Sequence, residues 1–316
     1  MGSERKSCQK IIVILGPTAS GKSEMAVNLA LWLNEKKRCE VKGAEIISAD
    51  SRQVYKGMDV GTGKITKEEM QGIPHHLLDV ASPKRKFTVA HFKSLGEKAI
   101  KKILEKDKIP IVCGGSAFYI KALVDGMIMP EIPPDWNLRE SMEKKSNEEL
   151  YKELLSLDPE RARSIDKNNK RRLIRALEII KKTGKPVPKT ENNSPYKKLF
   201  LGIRVDQEEL NKKIEKRLHK RIEQGMIEEV QELQRSGVSW NRLEELGLEY
   251  RWVGRYLQGK ISYEKMVQSL LWDIIQFSKR QKVWWKHDER ISWIKNEKKA
   301  KKIISDFLFP TEQAYL

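Results

Sequence analysis

The chain has 316 residues, and its 62 lysines and arginines exceed its 44 aspartates and glutamates, which gives a formal net charge of +18. Such a charge predicts a surface that attracts a polyanion, with nucleic acid as the leading candidate and a merely basic soluble enzyme as the alternative. The length exceeds the roughly 250 to 300 residues at which a single core stops growing, so we expect two compact units or one domain with an insertion. The 3 cysteines are too few and too scattered for a disulfide framework, and because none forms a C-x-x-C pair, no zinc site is indicated.

No apolar run approaches the roughly 18 residues of a membrane span, and the polar, basic residues 1–10 do not resemble a signal segment. A small number of scattered cysteines also suits a reducing compartment. We therefore expect a soluble cytoplasmic protein with no membrane partner.

A glycine-rich segment directly follows the apolar run 11–15 and directly precedes a helical pattern that starts at Glu24. Its spacing, G-x-x-x-x-G-K-S, is that of a phosphate-binding loop, in which backbone N–H groups and a helix N-terminus surround an anion. We predict that Lys22 reaches the outer phosphate and that the Ser23 hydroxyl holds Mg²⁺. The expected diphosphate-binding residues are Gly16, Pro17, Thr18, Ala19, Ser20, Gly21, Lys22 and Ser23. The loop predicts a diphosphate or triphosphate ligand, but it does not say whether phosphate is transferred, hydrolysed or released as a leaving group.

The predicted strand 45–48 ends just before a polar run. That run consists of Asp50, Ser51, Arg52 and Gln53. Ligands of open α/β sheets bind at the carboxyl ends of the strands, so we expect Asp50 beside the phosphate loop. A turn or helix-capping carboxylate is the alternative for Asp50 at this stage.

Predicted strands and helices go on alternating along the next part of the chain. Residues 77–80 are a predicted strand, 89–105 a predicted amphipathic helix, and 109–113 a buried strand that ends at a second glycine-rich loop. His75 and His76 lack a carboxylate or cysteine at ligand spacing, so we expect hydrogen-bonded histidines at the start of a strand and not metal ligands. The alternation predicts an α/β fold with a P-loop NTPase-like, doubly wound parallel sheet.

The composition of the sequence changes between residues 127 and 198, where a proline-rich link is followed by charged helical segments. We interpret 127–198 as an inserted all-helical domain, with 1–126 and 199–316 as the two parts of the core.

The last predicted helix of this insertion, 168–183, carries three arginines. The spacing places Arg172 with Arg175, and Arg171 with Arg175, on one helix face. Contacts to nucleic-acid phosphates and an ordinary solvated face both stay open as interpretations from these residues alone.

The core resumes with a predicted strand over 199–205, which is followed by long predicted helices over 208–235 and 263–285. The first of these helices places Arg217 and Arg221 one turn apart. The second combines aromatic side chains with the polar run Lys279, Arg280 and Gln281. Such a mixture can stack on unpaired bases, although core packing is the commoner use of the aromatic side chains.

Seven motifs resemble those of the tRNA dimethylallyltransferase family, and they extend over nearly the whole chain. They are GPTASGKS at 16–23, ADSRQVYKGMDVGTGK at 49–64, PHHLLDV at 74–80, GGSAFYI at 114–120, NKRRLIRALEI at 169–179, IEKRLHKRIEQGMIEEV at 214–230 and SKRQKVWW at 278–285. Each motif alone is weak, but their order and spacing are specific. The resemblance implies a P-loop core with an inserted helical domain. It also implies a reaction in which N6 of the adenosine 3′-adjacent to the anticodon attacks dimethylallyl diphosphate and pyrophosphate leaves.

The resemblance also implies roles for individual residues. Asp50 would be the general base, Lys22 and Arg217 would stabilise the departing diphosphate, and Ser23 would hold Mg²⁺. The implied tRNA-binding residues are Asp50, Ser51, Arg52, Gln53, Ser116, Arg139, Arg171, Arg172, Arg175, Lys279, Arg280 and Gln281. The implied partners are the anticodon stem-loop of tRNA and dimethylallyl diphosphate. No obligate protein partner is expected, so we expect a monomer.

The chain departs from the family pattern at two places. Ile274 and Ile275 stand where a threonine and an arginine are common, and Glu249-Tyr250 stands where a glycine-tyrosine pair is usual. We therefore expect part of the tRNA-contacting surface to differ.

Three other functions compete with this one. A related transferase prenylates free adenine nucleotides to make a cytokinin, but a small nucleotide would not need the basic insertion or the charge of +18. A P-loop kinase of small molecules would have no use for GGSAFY or for the arginine-rich insertion. A nucleic-acid-binding module with a vestigial loop would not need intact Lys22, Ser23 and Asp50.

Overall fold

The computed structural model describes residues 9–36, 41–127, 132–188 and 193–310. The chain divides into two compact units, of which one combines Met1–Gly126 with Ser194–Leu316 and the other is Met127–Asn193. The strands are β1 (Lys10–Leu15), β2 (Ala44–Ser48), β3 (His75–His76), β4 (Ile109–Gly114), β5 (Lys197–Ile203) and β6 (Ile291–Ile294). The helices are α1 (Lys22–Glu35), α2 (Lys67–Met70), α3 (Val89–Leu104), α4 (Ala117–Val124), α5 (Trp136–Glu143), α6 (Asn147–Leu157), α7 (Pro159–Ser164), α8 (Lys170–Thr183), α9 (Gln207–Glu223), α10 (Met226–Arg235), α11 (Trp240–Leu246), α12 (Leu248–Leu257), α13 (Tyr263–Trp285) and α14 (Glu297–Leu308).

The first unit is built on one six-stranded sheet with the order β3-β2-β4-β1-β5-β6. Every strand pair is parallel, and β1 pairs with both β4 and β5. The carboxyl ends of β1, β2 and β4 therefore meet at one edge, which is where ligands bind in such sheets. This arrangement confirms the predicted doubly wound α/β fold.

The side chains of β1 alternate between two hydrophobic cores. Ile11, Val13 and Leu15 belong to the core that includes α3, α4 and the helices α9 to α13. Ile12 and Ile14 belong to the opposite core, with α1 and α14. Successive strand residues point to opposite faces, so a strand covered by helices on both sides must be apolar throughout.

The second unit is helical over its described residues 132–188, which contain α5 to α8 and no strand. Its own hydrophobic core includes Met142, Leu150, Leu154, Leu173 and Leu177. This agrees with the predicted all-helical insertion. The predicted end at 198 differs from the observed end at Asn193, because the pairing of β5 with β1 already begins at Lys197.

Two predicted elements differ from the observed ones. The strand predicted over 77–80 is instead the pair His75–His76, because Leu77 and Asp79 have left-handed φ angles of 67° and 56°, which end an extended strand. The helix predicted over 208–235 is two helices, since Gly225, with φ 94°, lies between α9 and α10.

None of the helices within the four described ranges is long and apolar enough to cross a membrane.

Candidate active site

The phosphate loop connects the end of β1 to the start of α1. Two of its residues have left-handed backbone conformations, Ala19 with φ 61° and Gly21 with φ 83°. Gly21 is the N-cap of α1 and makes no side-chain capping hydrogen bond. The first-turn N–H groups of α1 lack helical partners, as in every α-helix, so an anion can bind them.

Lys22 folds back over this loop. Its Nζ donates a hydrogen bond to the carbonyl oxygen of Pro17 at 3.2 Å. Burial lowers the pKa of Lys22, and the positive charges of Arg217 and Arg221 act in the same direction, while Asp50 opposes them. A lysine with a weakened proton affinity and a weak carbonyl partner is poised to exchange that partner for a phosphate oxygen.

Arg217 reaches the loop from α9. Its guanidinium donates a hydrogen bond to Oγ1 of Thr18. Burial and, to a smaller extent, the neighbouring charge of Arg221 lower the pKa of Arg217 to about 9, which still leaves the group protonated at neutral pH. The loop therefore carries one cation of its own, Lys22, and meets a second, Arg217, that comes from a distant part of the chain.

Asp50 follows β2 and forms a turn. Its Oδ1 accepts hydrogen bonds from the N–H groups of Arg52 at 2.8 Å and Gln53 at 3.4 Å. The alternative interpretation of Asp50 as a turn carboxylate is thus correct for one of its oxygen atoms. No hydrogen bond to Oδ2 occurs within the described residues, so that oxygen keeps its lone pairs for an incoming proton.

One cavity brings the predicted catalytic residues together. Its polar lining includes Thr18, Lys22, Ser23, Asp50, Gln53, Thr62 and Arg217. Gly63, Gly114 and apolar side chains such as Ile46 and Ile65 complete the wall. A cavity lined by two cations and a carboxylate suits a substrate with an anionic leaving group and an acceptor that loses a proton.

Several predicted tRNA-binding residues have structural partners beside this cavity. The Ser116 hydroxyl accepts the N–H of Ser51 at 3.1 Å, which joins the loops after β4 and β2. The Nε of Arg52 donates to the carbonyl oxygen of Leu246 at 2.7 Å. Lys279 and Arg280 are exposed near the end of α13, whereas Gln281 is buried.

The four arginines of the helical unit that were predicted to bind tRNA fall into two groups. Arg139 and Arg175 both bind the carboxylate of Glu178, which is fully buried. Although burial acts to raise the pKa of Glu178, the hydrogen bonds from these arginines lower it. Arg171 and Arg172 are exposed at the start of α8. Only the exposed pair has guanidiniums that are not already engaged with this carboxylate.

The two histidines are hydrogen-bonded at the start of a strand, as predicted. Nδ1 of His75 lies 2.8 Å from the carbonyl oxygen of Ile73, and Nε2 of His76 lies 2.8 Å from Oε2 of Glu45. Within the described part of the chain, no group of three or more His, Cys, Asp or Glu side chains could hold a metal ion. A metal at this site would have to take most of its ligands from the substrate and from water.

Comparisons with known proteins agree with this geometry. A model of the IPP transferase family matches residues 53–288. A tRNA dimethylallyltransferase of Syntrophus aciditrophicus is 39% identical over 297 residues, which cover 92% of this chain and 94% of that relative. The chain belongs to the tRNA dimethylallyltransferase family.

Solved structures support the same assignment. The full-length tRNA isopentenylpyrophosphate transferase of Bacillus halodurans aligns with a TM-score of 0.70 and 33% identity over 95% of both chains. A eukaryotic dimethylallyltransferase acting on tRNA aligns with a TM-score of 0.81 and 25% identity, over 97% of this chain and 81% of that one. As a member of the tRNA dimethylallyltransferase family, the protein is a prenyltransferase with a parallel P-loop-like sheet.

Nothing in the sequence indicated what holds the segment 59–63, of which Thr62 and Gly63 line the cavity. The carboxylate of Glu229, on α10, accepts the N–H groups of Asp59, Val60 and Gly61 at 2.7, 2.6 and 3.1 Å. The hydroxyl of Tyr250 donates to the same carboxylate at 2.8 Å. The motif ADSRQVYKGMDVGTGK marked this segment, but nothing in its spacing pointed to an acidic partner so far along the chain.

Proposed function

We propose that this protein transfers the dimethylallyl group of dimethylallyl diphosphate to N6 of the adenosine 3′-adjacent to the anticodon of tRNA. The products are N6-isopentenyladenosine and pyrophosphate. The observation that carries the proposal is that Lys22, Arg217 and Asp50 line one cavity. Such a cavity supplies cations for a diphosphate leaving group and a carboxylate for the proton of an attacking amine.

The proposed step forms a bond between N6 and the allylic carbon while the bond from that carbon to the diphosphate oxygen breaks. Negative charge develops on the leaving oxygen, where Lys22 and Arg217 stabilise it. The adenine amine is scarcely basic or acidic, so Asp50 acts mainly late, when the nitrogen becomes cationic and its proton passes to Oδ2. Residues that orient the diphosphate against the amine contribute further through proximity.

Magnesium is proposed as the cofactor. The exposed Ser23 hydroxyl lines the cavity next to the loop, and a single protein oxygen suits an ion that is bound mainly through substrate phosphates and water. When bound there, Mg²⁺ would supply a Lewis acid to the leaving oxygens.

The proposed acceptor is the anticodon stem-loop. An amine stacked inside the loop cannot reach the allylic carbon, so the adenosine must leave the stack at a cost of a few kcal/mol, which contacts elsewhere on the tRNA offset. Arg171, Arg172, Lys279 and Arg280 are exposed, as phosphate contacts require. Ser51, Arg52, Gln53 and Ser116, close to Asp50, are proposed to surround the extruded adenine.

We further propose that the protein acts in the cytoplasm, where unmodified tRNA is found, and as a monomer, because the proposed catalytic residues all come from one chain. Light scattering of the purified protein, with and without tRNA, measures the oligomeric state.

The direct test is to incubate the protein with unmodified tRNA, Mg²⁺ and dimethylallyl diphosphate, to digest the tRNA, and to look for isopentenyladenosine by mass spectrometry. Parallel reactions replace tRNA by AMP and the prenyl donor by ATP. Modification of AMP in preference to tRNA would favour the cytokinin-forming function. Phosphoryl transfer from ATP at about one per second or faster would favour a kinase.

A further inference from the structure

A buried ion pair lies directly behind the wall of the candidate active site. Nη1 of Arg221, on α9, is 3.3 Å from Oε1 of Glu249, near the start of α12, and the two residues are only 6% and 8% exposed. Removing two charges from water opposes folding, so a buried pair is a poor means of stabilising a fold.

The pair touches the cavity wall through a glycine segment. Arg221 donates a hydrogen bond from Nη1 to the carbonyl oxygen of Gly61 at 3.2 Å. A Cβ atom at Gly63 would lie 1.7 Å from Nη2 of Arg221, so only glycine permits the guanidinium to pack against this backbone. Gly63 itself lines the cavity. Arg221 therefore supports the wall from behind without entering the cavity.

The pair also acts electrostatically on the diphosphate-binding cation. Arg217 and Arg221 are four residues apart on α9, which places them on one face about 6 Å apart along the helix axis. The charge of Arg221 lowers the pKa of Arg217, and that of Glu249 raises it. Glu249 thus offsets the positive charge that Arg221 would otherwise add beside Arg217 and the diphosphate site.

We propose that Glu249 is a positioning residue for the diphosphate site: its carboxylate neutralises Arg221, holds that guanidinium against the glycine segment, and thereby sets how tightly the cavity binds diphosphate. The inference rests on the proposed function, since it takes the donor to be a diphosphate. The interaction is screened little because both side chains are buried.

The charges of Arg221 and Glu249 predict that substitutions of these two residues shift the affinity for pyrophosphate in opposite directions. Arg221→Met leaves the Glu249 carboxylate unpaired behind the cavity, so the binding of pyrophosphate weakens by about tenfold. Glu249→Gln keeps an amide oxygen that can accept the Arg221 hydrogen bond but leaves the positive charge unopposed, so pyrophosphate binds several times more tightly. The double variant removes both charges and returns the dissociation constant to within about twofold of the parent value.

The experiment measures the dissociation constant of inorganic pyrophosphate by calorimetry in the presence of Mg²⁺, for the parent protein, both single variants and the double variant. The matched control is the ion pair of Glu244 and Arg255, which joins α11 to α12 with partly exposed side chains. Arg255→Met and Glu244→Gln make the same charge changes and are expected to leave pyrophosphate binding unchanged. Thermal unfolding of each variant is recorded alongside.

The outcomes separate the inference from the function on which it rests. Opposite shifts for Arg221→Met and Glu249→Gln support the inference, and they are not expected if the pair only stabilises the fold. Weaker binding in both variants, or no change in either, overturns it while the proposed function stands. If Arg221→Met does not fold, the test rests on Glu249→Gln alone. Tighter pyrophosphate binding by this variant then supports the inference, and unchanged or weaker binding overturns it. If the parent protein does not bind pyrophosphate, the proposed function fails as well.

Discussion

The side-chain oxygen of Gln281 accepts a hydrogen bond from the backbone N–H of Thr18 at 2.8 Å, which ties α13 to the phosphate loop. The amide nitrogen of the same side chain donates to the carbonyl oxygen of Gly115 at 3.0 Å. One buried side chain thus joins the loops that follow β1 and β4, and both of its functional groups are engaged. A contact between Gln281 and tRNA stays a prediction, while its link to the phosphate loop is a finding.

We expect Gln281→Ala to raise the KM for the prenyl donor by about tenfold and to lower the free energy of unfolding by about 1 to 3 kcal/mol. The substitution leaves the buried carbonyl of Gly115 without its partner and releases the loop at Thr18. Steady-state kinetics and denaturant unfolding measure the two effects. Gln281→Glu tests the contact with Gly115 separately, because it keeps an acceptor for the Thr18 N–H but places an oxygen against the Gly115 carbonyl. Weaker tRNA binding with an unchanged donor KM would instead assign Gln281 to the tRNA surface.

The two oxygen atoms of Asp50 allow its turn and base functions to be separated. Asp50→Asn can keep an Oδ1 acceptor for the N–H of Arg52 but cannot accept a proton, whereas Asp50→Ala loses both functions. We expect both variants to lower the single-turnover rate by about a hundredfold or more and to leave tRNA affinity nearly intact. Rapid-quench measurements with saturating tRNA test this. If Asp50→Asn kept most of the parent rate, Asp50 would serve only the turn.

Arg172 and Arg175 were predicted from sequence to act alike, but their surroundings differ. Arg172 is exposed, while Arg175 binds the buried Glu178 and also donates to the carbonyl oxygen of Ile132 at 3.0 Å. We expect Arg172→Ala to weaken all substrate tRNAs about equally and to reduce the salt dependence of binding by roughly one unit of slope, with stability unchanged. We expect Arg175→Ala to destabilise the helical unit by about 1 to 3 kcal/mol, because a buried carboxylate loses a partner.

Binding of tRNA at several salt concentrations, together with thermal unfolding, distinguishes these effects. Arg171→Ala, which changes the other exposed arginine of α8, is the companion variant. If neither Arg171→Ala nor Arg172→Ala changed the tRNA affinity or the slope of its salt dependence, this face of α8 would be an ordinary solvated surface.

The surroundings of Glu45 predict that the protein becomes less stable in acid. This residue of β2 is 1% exposed, and its carboxylate accepts hydrogen bonds from His76, Lys106 and Lys108. Burial acts to raise its pKa, but the hydrogen bonds from Lys108, His76 and Lys106 outweigh it and lower the pKa from 4.5 to about 2. A lowered pKa contributes stability that is fully present above the unfolded value and is lost as the pH falls through the folded value.

We therefore expect the free energy of unfolding to fall by about 3 kcal/mol from this group between pH ~5 and ~2. Glu45→Gln should lack this part of the pH dependence. Denaturant unfolding over this pH range measures the difference, with the exposed Glu289→Gln as control. Parallel curves for the parent and Glu45→Gln would contradict the expectation.

Much of the architecture could be predicted from local patterns. Spacing within a few residues determines the phosphate loop, because its backbone turns and the start of α1 follow from Gly16, Gly21 and Lys22 alone. The alternation of apolar runs and amphipathic segments determines the parallel sheet, and a parallel sheet brings the loops after its strands to one edge. The position of Asp50 beside Lys22 could therefore be predicted from the sequence alone.

The remaining features depend on how whole helices pack, which no local pattern encodes. Arg217 meets Thr18 across 199 positions and Gln281 meets Thr18 across 263, so their partners depend on where α9 and α13 lie against the sheet. The same holds for Glu249, whose sequence neighbours gave no sign of Arg221. Side-chain charge determines that such residues need partners when buried, but only the tertiary structure decides which partner each one meets.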